Sequence, residues 1–206
     1  MVANSRDGEP AGRPAIGAFH LYDVSHSDRS NLPKFKLRFP RAKVAQWAAR
    51  YDFGNGDAAP LALAPTIQRR GHLTKADFLA LSKWKTPRTQ KRCAANSADF
   101  IKVVTATSLS SSDERLRIEV LTLLSGVQWP TASVILHFCA PDPYPILDYR
   151  ALWSLSCDVP KQGYDFDHWW AYCEFTRRLA KQLDVSMRVL DRALWQYSKT
   201  NQPAGG

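Results

Sequence analysis

The sequence predicts an all-α protein, and three observations carry that expectation. Apolar residues recur at spacings of three and four, in stretches set apart by glycine and proline. Ser, Thr and Asp stand at the starts of those stretches, where a helix needs a cap. No alternating apolar–polar run reads as a strand, and no internal repeat is visible. The chain has 206 residues, the length of one to two domains. A chain of that length buries roughly 70% of the surface its unfolded form exposes, so it folds without staples. At 45% hydrophobic and 23% charged residues it is not globally disordered, and seven tryptophans suit a well-filled core.

Residues 1–15, rich in Gly, Pro and small polar residues, read as a flexible tail. The remainder, 16–206, reads as one helical domain, although 16–39 has no assignable pattern. Residues 41–51 place Val44, Trp47 and Ala48 on one helix face, and the run DFGNGDAAP ends that helix. Residues 61–73 do not decide between helix and loop. Thr74 with Asp77 opens the next helix, with Phe78, Leu81 and Lys85 on one face, and Pro87 breaks it. Residues 88–107 read as one long helix with Phe100, Val103 and Val104 near its apolar end. Ser111 and Glu114 have capping-box spacing ahead of Leu116, Val120, Leu121 and Leu124, and Ser125-Gly126 stops that helix. Pro130 suits a first helical turn, and Ala132, Ile135, Leu136 and Cys139 continue it. Pro141, Pro143 and Pro145 force an extended loop, after which Asp148 starts a helix to Leu155. Asp165 opens a long helix through Phe166, Trp169, Trp170 and Cys173, and residues 186–198 form the last.

Charge is unevenly placed. Residues 33–92 hold 14 basic residues against three acidic ones, while the flanking stretches are close to neutral. Such asymmetry points to a polyanion, most often nucleic acid, and otherwise to a solvated basic surface. The four cysteines, Cys93, Cys139, Cys157 and Cys173, show no CxxC or Cys/His cluster, so neither zinc nor an iron–sulfur cluster is expected. There is no run of 18 apolar residues and no apolar stretch at the N-terminus. The expectation is therefore a cytoplasmic protein, nucleoid-associated if bacterial, with no membrane partner.

The informative segment is 121–155, LTLLSGVQWPTASVILHFCAPDPYPILDYRALWSL. It reads helix, tight turn at Ser125-Gly126-Val127, second helix, proline-rich loop, aspartate, helix. A glycine turn between two helices frees backbone N–H groups at the second helix's N-terminus, and these can hold a phosphate whatever the base sequence. The segment resembles the helix-hairpin-helix DNA glycosylases, the superfamily of endonuclease III and the alkyladenine glycosylases. The family hairpin runs leucine-proline-glycine-valine-glycine and on to threonine-alanine; here it is Leu124-Ser125-Gly126-Val127-Gln128-Trp129-Pro130-Thr131-Ala132. In the family a catalytic aspartate lies about 18 residues beyond the position that is lysine in bifunctional members. That position is Pro130 here, and Asp148 stands 18 residues further on. The stretch Ile146-Leu147-Asp148-Tyr149-Arg150 also matches the family's entry into the helix after the loop. The detailed likeness covers about 35 residues. It departs at Gln128, where the family has a second glycine, and at Ser125, where it has proline.

The resemblance implies a two-lobed helical fold with a cleft, central helices over about 74–147 and the hairpin at 124–132. It implies a monofunctional DNA N-glycosylase acting on a damaged, mismatched or modified base flipped out of duplex DNA. Asp148 is the implied catalytic carboxylate, stabilising an oxocarbenium-like sugar and orienting water. Pro130 has no amine, so that position cannot form a Schiff base. The resemblance also carries a monovalent cation on the hairpin's backbone carbonyls, with no other cofactor and no protein partner.

Each candidate has a plainer role beside the functional one. Asp148 is also a good helix cap. Gly126, Val127 and Gln128 are the DNA-binding hairpin, or Gly126 is a simple helix terminator. Lys83, Lys85, Arg88, Lys91 and Arg92 form a DNA-facing edge or a solvated boundary, and Arg150 contacts phosphate or solvent. Trp84, Trp129, Tyr149 and Trp153 are base-pocket candidates, although aromatic residues at helical spacing are more often core. His137 reads as a core histidine, Trp169 and Trp170 as core, and Glu119 has no assigned role. The alternatives are a non-catalytic DNA-binding protein that keeps the fold, and a helical interaction protein with no nucleic-acid role.

Overall fold

Among the described residues six helices begin where a side-chain oxygen can take up an orphan N–H, and that local chemistry sets the element boundaries. Thr74 accepts from Asp77 N–H while Asp77 returns a bond to Thr74, a complete capping box. Ser97, Asp113, Asp148, Asp165 and Ser186 cap in the simpler way. The structure, a computed structural model, describes residues 33–54 and 56–203. The expected tail over 1–15, and residues 16–32, lie outside the described residues. A 3-10 turn at Arg41–Lys43 leads into α1 (Val44–Ala49), followed by α2 (Ala58–Arg70), α3 (Lys75–Lys85), α4 (Gln90–Ala94), α5 (Ala98–Ser110), α6 (Glu114–Glu119), α7 (Trp129–Cys139), α8 (Tyr149–Ser154), α9 (Phe166–Gln182) and α10 (Met187–Asn201). There is no strand among the described residues.

The undecided stretch 61–73 is mostly helix. Alpha-2 continues through Pro65, buries Ile67 and ends on Gly71 in the left-handed conformation. The long helix expected over 88–107 is two. A 3-10 turn at Pro87–Thr89 and short α4 precede a break, and α5 restarts after Ser97. The break has a cause: Asn96 turns its amide onto Cys93 O and onto Ser125 across the molecule, and Ser97 then caps α5. The cap expected at Ser111 belongs to Asp113, which accepts from Leu116 N–H, while Ser111 Oγ accepts from Asp113 N–H. Phe100 and Val103 face outward, whereas Val104 is buried.

Trp169, Tyr144, Tyr172 and Phe78 are the largest fully buried side chains. Alpha-10 packs on α1, α8 and α9, while α7 packs on α2, α3 and α6. Between α7 and α8 runs the proline-rich segment, extended and, from Tyr144 to Leu147, buried. A buried segment outside a helix must find partners for its backbone groups. Here side chains supply them. Pro143 O accepts from Arg177 Nε at 2.8 Å and Tyr144 O from His137 Nδ1 at 2.6 Å. Ile146 N–H donates to Asp191 at 3.3 Å, Ile146 O accepts from Tyr172 Oη at 3.1 Å, and Leu147 N–H donates to Ser133 Oγ at 2.8 Å. His137 is thus a core histidine, as expected. Burial, with Arg188 nearby, lowers its pKa to about 3, so the ring is neutral and Nδ1 carries the proton that Tyr144 O receives.

A histidine neutral in the fold takes a proton on unfolding, so the unfolded state binds more protons and stability falls as pH drops from about 6.5 toward 3. Denaturant titrations across that window should show a shallower decline for His137→Gln, which keeps a donor for Tyr144 O, than for the wild type. Parallel declines would show that this ring does not set the acid response.

Candidate functional site

The turn between the 3-10 stretch Val120–Leu123 and α7 is closed by Val127 N–H to Leu124 O at 3.0 Å. Gly126 holds φ +85°, in the region that favours glycine. Space also demands glycine: a Cβ there would lie 2.7 Å from Cys93 Sγ and 3.2 Å from Arg92 Cβ. Asn96 clamps the turn from behind, accepting from Ser125 N–H at 2.9 Å and donating to Ser125 O at 3.0 Å. Both sequence departures are explained. Ser125 supplies an N–H that proline would lack, and Gln128 has φ −121°, extended backbone open to any residue. Gln128 is exposed at the N-terminus of α7 and makes no side-chain cap, while the Val127 side chain is buried. Arg92, whose Cβ abuts the turn, is exposed, as are Lys83, Arg88 and Lys91. Of these cations, Arg92 is the one whose side chain begins against the hairpin turn.

Lys85 is different. Its Nζ lies 2.5 Å from Asp148 Oδ2, and its side chain is only 11% exposed. It is no surface cation, because the α3 face that carries Phe78 and Leu81 also turns Lys85 inward. Asp148 caps α8 through Oδ1, which accepts from Arg150 N–H at 2.9 Å. Its two oxygens thus serve a helix terminus and an ammonium.

Asp148 and Lys85 line a cavity of about 50 Å³. Trp84, Trp195, Tyr51 and Phe53 form aromatic walls, and Ile146, Ala151 and Asp191 complete the lining. Phe53 lies 4.9 Å from Trp84 and 5.4 Å from Trp195 between ring centres. Trp84 Nε1 donates to Gly56 O at 2.8 Å, fixing its indole against the segment that carries Phe53. Asp191 is a second carboxylate in the same cavity. Burial raises its pKa to about 6, with Asp148 adding to the rise and Arg188 and Lys85 opposing it. Arg188 pairs with Asp191 and, at 2.5 Å, with Asp57, which also holds Arg192 at 2.6 Å. Burial works to raise the Asp57 pKa, but the two guanidinium groups more than offset it and the carboxyl sits below its ordinary value.

Of the base-pocket candidates, Trp84 lines this cavity. Trp129 instead packs on Trp169 at 6.2 Å, and Trp153 stacks on Tyr197 at 5.8 Å with Arg38 over its face. Tyr149, one residue past the cap, points out to solvent beneath Arg150. The half-buried Arg150 also covers Trp195 at 5.6 Å. Glu119 pairs with Arg115 on the surface. Sequence reasoning missed Tyr51, Phe53, Asp191 and Trp195. Phe53 stands in a glycine-rich break that reads as a linker, and Asp191 and Trp195 look like ordinary positions of a charged amphipathic helix. Among the described residues no group of three His, Cys, Asp or Glu could hold a metal ion, and no helix is long and apolar enough to cross a membrane. Comparison with protein-family models, with curated proteins and with solved structures gives no match for this chain.

Asn96 is 5% exposed and satisfies two backbone groups of the turn. Truncation to alanine leaves them unpaired, so Asn96→Ala should lose about 1–3 kcal/mol in denaturant unfolding. A loss within error would show that water takes over both bonds.

Proposed function

We propose that the protein is a monofunctional DNA N-glycosylase of the helix-hairpin-helix kind, with its helices in two lobes about a cleft. The observation that carries the reading is Asp148 at the start of α8, in a cavity walled by Trp84, Phe53 and Trp195. The hairpin that precedes it abuts the exposed Arg92 of α4, with Lys91 next to it in the chain. Such a surface grips phosphates of double-stranded DNA through the hairpin N–H groups and Arg88, Lys91 and Arg92. A damaged, mismatched or modified base turns out of the duplex and stacks between aromatic rings. Asp148 then stabilises positive charge on the sugar as the base leaves, and orients the water that attacks. The carbonyls of Leu124 and Ser125 each accept one bond within the fold, which leaves their second lone pairs for a monovalent cation. The cavity has room for only a few waters, at roughly 10–15 Å³ each, so the walls part when a base enters.

The engagement of both Asp148 oxygens favours a second reading, a non-catalytic DNA-binding protein in which Asp148 is a cap and an ion-pair partner. Base-release assays separate the two, run on duplexes carrying uracil, mismatched thymine, alkylated, oxidised or hydroxymethylated bases and developed with hot alkali. The glycosylase reading expects Asp148→Asn, which keeps an acceptor for the cap, to lose about 100-fold or more of the wild-type rate on the accepted substrate. Equal behaviour of the two proteins leaves the binding reading.

Either reading expects salt-dependent binding. Alanine at Arg88, Lys91 or Arg92 should weaken binding alike across sequences and flatten the log–log salt slope by about 0.9 for each phosphate that is no longer neutralised. An unchanged slope in all three variants would remove the 3-10 turn Pro87–Thr89 and α4 from the interface.

A further inference from the structure

Six cations between Pro33 and Tyr51 stand apart from the hairpin and from α4. They are Lys34, Lys36, Arg38, Arg41, Lys43 and Arg50, and the stretch holds no acidic residue. Residues 34–39 run extended along the end of α8. Lys36 N–H donates to Leu155 O at 2.8 Å and Arg38 N–H to Ser154 O at 2.9 Å. A period of two then sorts the side chains. Phe35 packs on Tyr172 and Phe175, and Phe39 on Trp47 and Tyr197. Lys34, Lys36 and Arg38 are exposed, as are Arg41 and Lys43 in the 3-10 turn that follows. None of these five pairs with a carboxylate among the described residues. Arg38 is also held in place, because its Nε donates to Trp153 O and its guanidinium lies 4.5 Å from the centre of that ring.

Exposed cations about 6.6 Å apart along an extended segment suit a polyanion. Two features select which one. The ring faces beside the strip are covered, Trp153 by Arg38 and Trp47 by Arg50, so they offer no platform on which unpaired bases could stack. Phe35, Leu37 and Phe39 pack against the core, so no apolar row is left to enter a lipid surface. A paired backbone, held by charge alone, fits both features. We propose that Lys34, Lys36, Arg38, Arg41 and Lys43 form a second phosphate-binding strip, which takes the backbone of duplex DNA separately from the hairpin and α4. This rests on the reading of duplex DNA as the substrate. The strip is bonded to α8 and continues into α1, which packs on α10, whereas α4 packs on α3. Each group of cations leads to the cavity: Arg50 precedes Tyr51, Arg88 follows Lys85, and both Tyr51 and Lys85 line it. A duplex that delivers a nucleotide to the cavity is then held by two sets of helices.

The test uses the full chain with an undamaged duplex and with one of its single strands, so it needs no base release. A variant carrying Lys34→Gln, Lys36→Gln, Arg41→Gln and Lys43→Gln changes exposed side chains only and leaves the Arg38 stack intact. Its log–log salt slope on duplex should be flatter than that of the wild type by about 0.9 for each phosphate released, so by about 3–4 in all. Acetylation of the wild type by acetic anhydride, read by peptide mass, should show Lys34, Lys36 and Lys43 protected by duplex, with the exposed Lys102 and Lys181 modified as before. That second readout decides the matter even if the fourfold variant fails to fold. An unchanged slope, or the three lysines modified alike with and without duplex, overturns the strip. Weaker binding by the Arg88, Lys91 and Arg92 variants in the same series then keeps the DNA reading without it. Wild-type protein that ignores duplex at low salt overturns both. Tighter binding to the single strand than to the duplex overturns the choice of a paired backbone.

Discussion

The obligation to satisfy buried backbone shapes this molecule more than any other constraint. Between α7 and α8 the chain passes through the interior without forming a helix, so its N–H and C=O groups have no neighbours in the ladder to bond. Arg177, Tyr172, Asp191, His137 and Ser133, drawn from three helices, meet them one by one. The segment ends at Asp148. The position of that carboxylate is therefore set by α7, α9 and α10 together, and not by the helix it caps.

The same economy governs charge in the cavity. Asp148 faces Lys85, and Asp191 faces Arg188. Burial of an unpaired carboxylate is costly, and each here has a cation in reach. Arg188 extends the balance outward, because it also holds Asp57, which with Arg192 pins the far end of the segment carrying Phe53. Tyr51 joins the same network through its hydroxyl, 2.9 Å from Arg188. The polar floor and the aromatic wall thus share one arginine.

Much of the architecture is legible in the sequence, because helix starts and stops are local events. Thr74 with Asp77, Asp165 and Pro130 each mark a boundary that the structure keeps. The single helix expected over 88–107 fails for a non-local reason. Asn96 leaves the helix to bond Ser125, a partner 29 residues away that no periodicity reveals. The site divides the same way. Asp148 and Trp84 could be singled out from pattern, but the inward turn of Lys85 depends on which face α3 buries. The arrival of Asp191 and Trp195 depends on where α10 packs. Trp129 and Trp153 look like pocket residues beside Asp148 in the chain, yet helical geometry sends them to other neighbours.

The two sides of the cavity are held in different ways. Its floor is tied by side chains from several helices, but Phe53 rides on a short span anchored at its ends. Asp52 is held by Lys199 and Gln196, and Asp57 by Arg188 and Arg192. Between the anchors lie Gly54 and Gly56, both in the left-handed region and neither with an atom within 4 Å of where a side chain would begin. The span is tied at a third point as well, since Gly56 O accepts from Trp84 Nε1 at 2.8 Å and Gly56 N–H donates to Phe53 O at 2.6 Å. Tethers from α10 at its two ends and from α3 at Gly56 therefore place the Phe53 wall, so a change in either helix would be felt at the aromatic face of the cavity.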